Sequence, residues 1–106
     1  MAGTLQLEIA TPERLVVSQA VDSAQIPGKD GYMGILPGHA ALLSELGHGT
    51  LSFTDGGKTE SLTVSGGYVE VRDDHVRVLA DKAEITLSSL FSGVEKKAQE
   101  LAKKSP

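Results

Sequence analysis

The chain predicts a mainly β domain, a sandwich or a barrel of short strands, followed by a C-terminal α-helix. Three observations carry this. Several short runs alternate apolar and polar residues with a period of two, the signature of strands with one face in a core. Turn-forming Gly, Pro and Asp punctuate those runs at short, regular spacing, as in sandwiches and barrels. From Ser88 onward the β-branched bias disappears and Glu, Lys, Ala, Gln and Leu take over, all good helix formers.

Thr4 to Ala10 sets Leu5, Leu7 and Ile9 on one face and Thr4, Gln6 and Glu8 on the other. Thr11-Pro12-Glu13 reads as a turn with Pro at a corner. Leu15 to Ser18 reads as a second strand and Ala20 to Pro27 as a third. The alternation of the third slips between Val21 and Ala24, which predicts a bulge there. Ala40 to Leu46 suits a strand or a helix, since so short a run has no decisive period. Thr50 to Thr54 and Lys58 to Val64 flank Asp55-Gly56-Gly57, a hairpin signal because such turns need positive φ. Ser65-Gly66-Gly67 interrupts the next run. Tyr68 to Arg72 and His75 to Ala80 then alternate about an Asp73-Asp74 turn.

Between these lies the most sharply shaped stretch, Pro27 to Leu43, with glycines at 28, 31, 34 and 38 and prolines at 27 and 37. Its spacing predicts two turns around the apolar piece Met33, Ile35 and Leu36. In the last segment Leu90, Phe91, Val94, Ala98 and Leu101 recur at three- and four-residue steps, one apolar stripe. Ser92 and Glu95 form a candidate capping box, and Lys103 and Lys104 suit the C-terminal end of the helix dipole. The chain therefore divides into a β domain over residues 1–86 and a helical segment over 87–106.

Composition narrows function. A length of 106 residues suits one domain. Aromatic residues make up 4% and Trp is absent, against base or sugar stacking. The net charge of −4 argues against a phosphate-backbone binder. Without Cys there are no disulfides and no thiolate metal sites. No apolar run approaches the roughly 18 residues that would span a bilayer, and the N-terminus lacks a signal-peptide pattern. The chain is expected to be soluble and intracellular.

The residues offer little catalytic chemistry. His39, His48 and His75 are far apart and lack metal-ligand spacing. His39 reads as a polar residue closing a turn through a backbone hydrogen bond, with a metal or general-base role as its functional alternative. Asp30, Asp55, Asp73, Asp74 and Asp81 mostly sit beside Gly or at turns, where Asp binds its own backbone. PGKDGYMG lacks the Gly-Lys-Ser/Thr ending of a P-loop, and Ser65-Gly66-Gly67 is not a nucleophile elbow. These residues predict a domain that works by contact, with no catalytic, cofactor-binding or metal-binding residue. A free-standing sandwich that binds a peptide or small ligand is one such protein.

TPERLVVS, VDSAQIPGKDGYMGILPGHAALL and VSGGYVEVRDDHVRVLAD, in that order, closely resemble the epsilon subunit of bacterial F-type ATP synthase. GYMGILPGHAALL is similar to the family's G-x-x-G-x-L-P-G-H-A-P-L-L signature, with Ala41 where Pro is usual; SGGYVEV and VLADKAE also match. The resemblance covers roughly residues 4 to 84. It implies a β-sandwich of about ten short strands and a subunit of the rotating central stalk. That subunit binds the gamma subunit and the ring of c subunits, has no active site or cofactor of its own, and sits on the cytoplasmic face of the bacterial plasma membrane within the complex. By matching position, Lys29, Asp30, Gly31, Tyr32 and Met33 are expected to meet the c-ring, and Gly38, His39 and Ala40 to lie near the gamma and ring contact. Tyr32 stands where many relatives carry an acidic residue. The family has two helices after VLAD, whereas here about one follows, so C-terminal inhibition and ATP binding are not expected.

Overall fold

The computed structural model describes residues 3–85. The helix expected over residues 88–104 lies outside them. Eight strands run β1 (Leu5–Ala10), β2 (Leu15–Val21), β3 (Ser23–Gly28), β4 (Gly31–Ile35), β5 (Leu42–Glu45), β6 (His48–Asp55), β7 (Lys58–Arg72) and β8 (His75–Ile85). They form one sheet in the order β2-β1-β8-β7-β6-β3-β4, with β5 joined to β7. All pairs are antiparallel except β1 with β8.

This sheet folds over on itself because β7 and β8 belong to both layers. The first half of β7 pairs with β6, from Lys58 to Ser65, and the second half with β5, from Tyr68 to Val71. β8 follows it on both sides of the bend, from Leu62↔Ile85 to Arg72↔His75. Eight strands thus fill ten positions in two layers, which reconciles the observed count with the ten short strands expected. One layer holds β2, β1, the first half of β8, the second half of β7, and β5. The other holds the remaining halves with β6, β3 and β4. A hydrogen bond from Gln19 Nε2 of β2 to Asp55 Oδ2 at the end of β6 (3.3 Å) ties the layers together.

The fold line is Gly66-Gly67. Burial shows why the chain needs a break there. In β7 Leu62 and Val64 face the core, then Val69 and Val71 do, so the alternation slips by one residue. A one-residue slip moves every following side chain to the other face. Gly66 and Gly67 absorb it with φ of 70° and 114°. A Cβ on Gly67 would collide with the carbonyl oxygen of Leu79 on β8. What reads in sequence as an interruption is a bend inside one strand of 15 residues.

The slip between Val21 and Ala24 has a different cause from the bulge expected. Both residues are buried, but in different layers, and the chain crosses between them at Asp22. The Asp22 N–H donates to the Thr54 carbonyl (2.7 Å) and its Oδ2 accepts from Gly56 N–H (2.9 Å). The run at 40–46, ambiguous in sequence, holds strand β5. The Thr11–Arg14 turn is closed by Thr11 N–H to Arg14 carbonyl (2.9 Å) and the reciprocal bond (3.3 Å).

Leu5, Leu7 and Ile9 of β1, Leu51 and Phe53 of β6, and Val69, Val71, Val76 and Val78 of β7 and β8 share one apolar core. Full burial of each such side chain contributes about 1.5–3 kcal/mol. Among the described residues no polar or charged side chain is buried.

Candidate functional site

The two predicted contact segments lie at opposite ends of β4. Lys29 to Met33 occupy the β3–β4 hairpin, whose ladder runs from Gly28↔Gly31 to Ala24↔Ile35. Gly38, His39 and Ala40 lie in the loop after β4. A strand of 5 residues spans about 17 Å, so the structure keeps the segments apart.

The hairpin is anchored to the fold line through backbone. Lys29 N–H donates to the Glu45 carbonyl (3.1 Å), Gly47 N–H to Pro27 (2.8 Å) and Leu46 N–H to Gly67 (2.9 Å). Gly28 and Leu46 form a β-bridge. Outside this lock Lys29 Nζ pairs with Glu45 Oε2 at 3.0 Å, with both side chains largely exposed. Asp30 is exposed at the tip, Met33 packs on the core, and Tyr32 lies 58% exposed on the outer face.

The second segment is held differently. His39 N–H donates to the Leu36 carbonyl (3.1 Å), closing the turn. The half-buried His39 ring has Nδ1 2.7 Å from the Ala40 carbonyl. A carbonyl only accepts, so Nδ1 carries the proton. Gly38 N–H donates to Asp74 Oδ1 at 2.7 Å, and the Asp74 carbonyl accepts from Gln6 N–H at 2.8 Å. Asp74 sits with φ of 61° beside Asp73 at 51° in the β7–β8 turn. Asp tolerates this region better than most residues. Sequence reasoning placed Asp74 at a turn but missed its reach to Gly38, since nothing local signals a partner 36 residues away. Among the described residues no group of three or more His, Asp or Glu could hold a metal ion.

Sequence reasoning also missed an apolar row on the outer face of the first layer. The registers Leu15↔Ala10, Ala10↔Leu79 and Leu79↔Tyr68 align these four residues across β2, β1, β8 and β7. Leu15, Leu79 and Tyr68 are each more than half exposed. Pro12, Lys29, Glu45, Tyr68 and Leu79 contribute to an open groove of about 600 Å³ beside the row. A signal was present, for Val78-Leu79-Ala80 places an apolar residue where alternation calls for a polar one.

The family model of the ATP synthase Delta/Epsilon chain, beta-sandwich domain, matches residues 4–86. The chain belongs to this family. An ATP synthase epsilon chain from Solibacter usitatus is 55% identical over 84 residues, 79% of this chain and 63% of that one. Another from Carboxydothermus hydrogenoformans is 41% identical over 110 residues, 100% of this chain and 82% of its own length. The chain spans 63% and 59% of the length of the Solibacter usitatus and Koribacter versatilis epsilon chains. A chain in the Euglena gracilis mitochondrial ATP synthase structure, OSCP/F1/c-ring in rotational state 1, superposes with a TM-score of 0.72 at 26% identity, covering 88% of this chain and 62% of that one. A chain of the Tetrahymena thermophila mitochondrial ATP synthase central stalk/c-ring shares the fold, with a TM-score of 0.67 at 13% identity over 92% of each.

Proposed function

We propose that this chain is the epsilon subunit of an F-type proton-translocating ATP synthase, a non-catalytic part of the central stalk that links the gamma subunit to the c-subunit ring. In that role it sits peripherally on the cytoplasmic side of a bacterial membrane, held there by the complex. The observation that carries this reading is the family match across residues 4–86, on a sandwich whose sequence is 41–55% identical to the named epsilon chains. The exposed apolar row Leu15, Ala10, Leu79 and Tyr68 supports it, because such surface suits a protein that works inside an assembly. In this reading Lys29, Asp30, Gly31, Tyr32 and Met33 meet the c-ring, and Gly38, His39 and Ala40 lie at the gamma and ring contact. In this reading residues 1–86, the β domain, carry these contacts. No specific observation favours the free-standing binding module.

Mixing the purified chain with its own gamma subunit tests the reading by size-exclusion chromatography. Co-elution as one complex is expected. Separate elution of the two folded proteins would overturn it.

A further inference from the structure

Tyr32 crosses two strands on the outer face of the second layer. It is the second residue of β4 and pairs with Pro27 of β3. Its hydroxyl nevertheless accepts a hydrogen bond from Thr50 N–H of β6, at 3.0 Å. The β3–β6 ladder explains why that donor is available. The ladder runs Ser23↔Thr54, Ala24↔Phe53, Gln25↔Ser52 and then stops. Continued by two residues, it would set Pro27 against Thr50. Proline has no N–H to give, and the Pro27 carbonyl accepts from Gly47 N–H instead (2.8 Å). β6 thus parts from β3 at the point where the hairpin begins, and the Tyr32 hydroxyl takes the amide that the missing rung would have bonded.

Gly49 makes room for this. A Cβ at Gly49 would lie 2.5 Å from Tyr32 Oη, 3.3 Å from Cζ and 3.1 Å from Pro27 Cβ. Real Cβ atoms essentially never show contacts under 3.0 Å, so a Cβ at Gly49 would push the Tyr32 hydroxyl off its present seat. An aromatic ring covering a strand glycine is also a known device for pinning strands together. Geometry, the lost rung and the bare glycine all converge on one side chain.

We propose that Tyr32 is a positioning residue, a latch seated on Gly49 that fastens the β3–β4 hairpin to β6 through Thr50. The latch lies beside the hairpin tip at Lys29 and Asp30 and on the same flank as the backbone lock at Leu46 and Gly47, where β3 is already fastened, so it adds a tie from the edge strand β4. Its consequence for function rests on the stalk reading above: a hairpin that meets the c-ring then turns with the sandwich as one body. The latch itself does not depend on that reading.

Hydrogen exchange followed by NMR on the full chain tests the latch. Tyr32→Phe keeps the ring and removes the hydroxyl. Thr50 amide exchange is expected to quicken about five- to tenfold, the effect of one lost hydrogen bond on local opening. Val69 and Val78 amides, deep in the core, should keep their rates. An unchanged Thr50 rate overturns the proposal. Gly49→Ala attacks the seat while leaving the hydroxyl in place. It should shift the Tyr32 ring resonances, leave those of Tyr68 alone, and quicken Thr50 exchange as Tyr32→Phe does. In the double variant the two effects should fail to add, since both remove the same contact. Full additivity would refute the seat.

A third readout separates positioning from plain stability. The chain contains no Cys, so Asp30→Cys provides one site for a photoactivatable cross-linker in the assembled synthase. With Gly49→Ala added, which disturbs the seat without touching a contact residue, the complex should still assemble and the yield of cross-link to the ring should fall. An equal yield removes the positioning role. A parent chain that never assembles counts against the stalk reading, and the Thr50 exchange rate then decides whether the latch exists.

Discussion

The two segments that flank β4 are neighbours in the chain and share one family signature, yet they are held by different chemistry. The β3–β4 hairpin is tied by backbone, through Lys29 to Glu45, Gly47 to Pro27 and the Gly28–Leu46 bridge, with Leu46 tied in turn to Gly67. The Leu36–Ala40 turn is tied to the β7–β8 turn through one side chain, Asp74, and is closed internally by the bonds of His39 to Leu36 and Ala40. Backbone bonds are indifferent to most side-chain changes; only a residue that obstructs the path breaks them. A carboxylate anchor is lost with one substitution. The hairpin should therefore tolerate most changes at its surface and fail at the glycine pivot Gly67, whereas the turn should loosen locally without unfolding the rest.

Gly67→Ala should do the most damage. The new Cβ collides with the Leu79 carbonyl and sits at φ 114°, a conformation L residues avoid. Steric and backbone penalties together place the loss above about 4 kcal/mol. At about 4–8 °C per kcal/mol for a domain of this size, the melting temperature should fall by at least about 15 °C. The Lys29 amide should lose protection too, because Gly67 anchors Leu46. A variant with the parent melting temperature would undo the contrast between the two segments at its root.

Asp74→Ala should be milder and local. Losing a hydrogen bond to a charged acceptor at the surface costs about 1–2 kcal/mol. Exchange should quicken at Gly38 and His39, while Lys29 and Gly47 stay protected. Asp74→Asn retains an acceptor oxygen and should recover more than half of the lost stability. If Asp74→Ala instead loosens both segments equally, the two anchors are not independent.

Lys29→Ala should matter least. The Lys29–Glu45 ion pair spans 3.0 Å but its side chains are 67% and 52% exposed. Exposed pairs are worth about 0–1 kcal/mol and are screened by salt. Thermal unfolding of this variant should shift by no more than about 8 °C, and less in high salt. A larger drop would mean that charge, not backbone, holds the hairpin.

Much of the fold was legible in the chain. Leu5, Leu7 and Ile9 alternate and all three are fully buried. Asp55-Gly56-Gly57 marks a hairpin, closed by Asp55↔Lys58 with positive φ at both glycines. Asp73-Asp74 marks another, closed by Arg72↔His75. These features are local: period two and turn preference depend on residues within a few positions of one another. The slip at Val21–Ala24 was visible but misread, because alternation reports that a face has changed and not whether a bulge or a change of layer caused it.

Strands, turns and kinship could all be read from the chain, since each is written in short-range pattern or in ordered motifs. Which distant groups meet was settled only on folding. Folding bent β7 and β8 through both layers at Gly66-Gly67 and aligned Leu15, Ala10, Leu79 and Tyr68 into one exposed row. It brought Asp74 to Gly38 across 36 positions and Tyr32 to Thr50 across 18. The physical reason is register. A side chain's direction follows from its own strand, but its partner depends on which strands pair and where the sheet folds, and those are fixed only when the whole core closes.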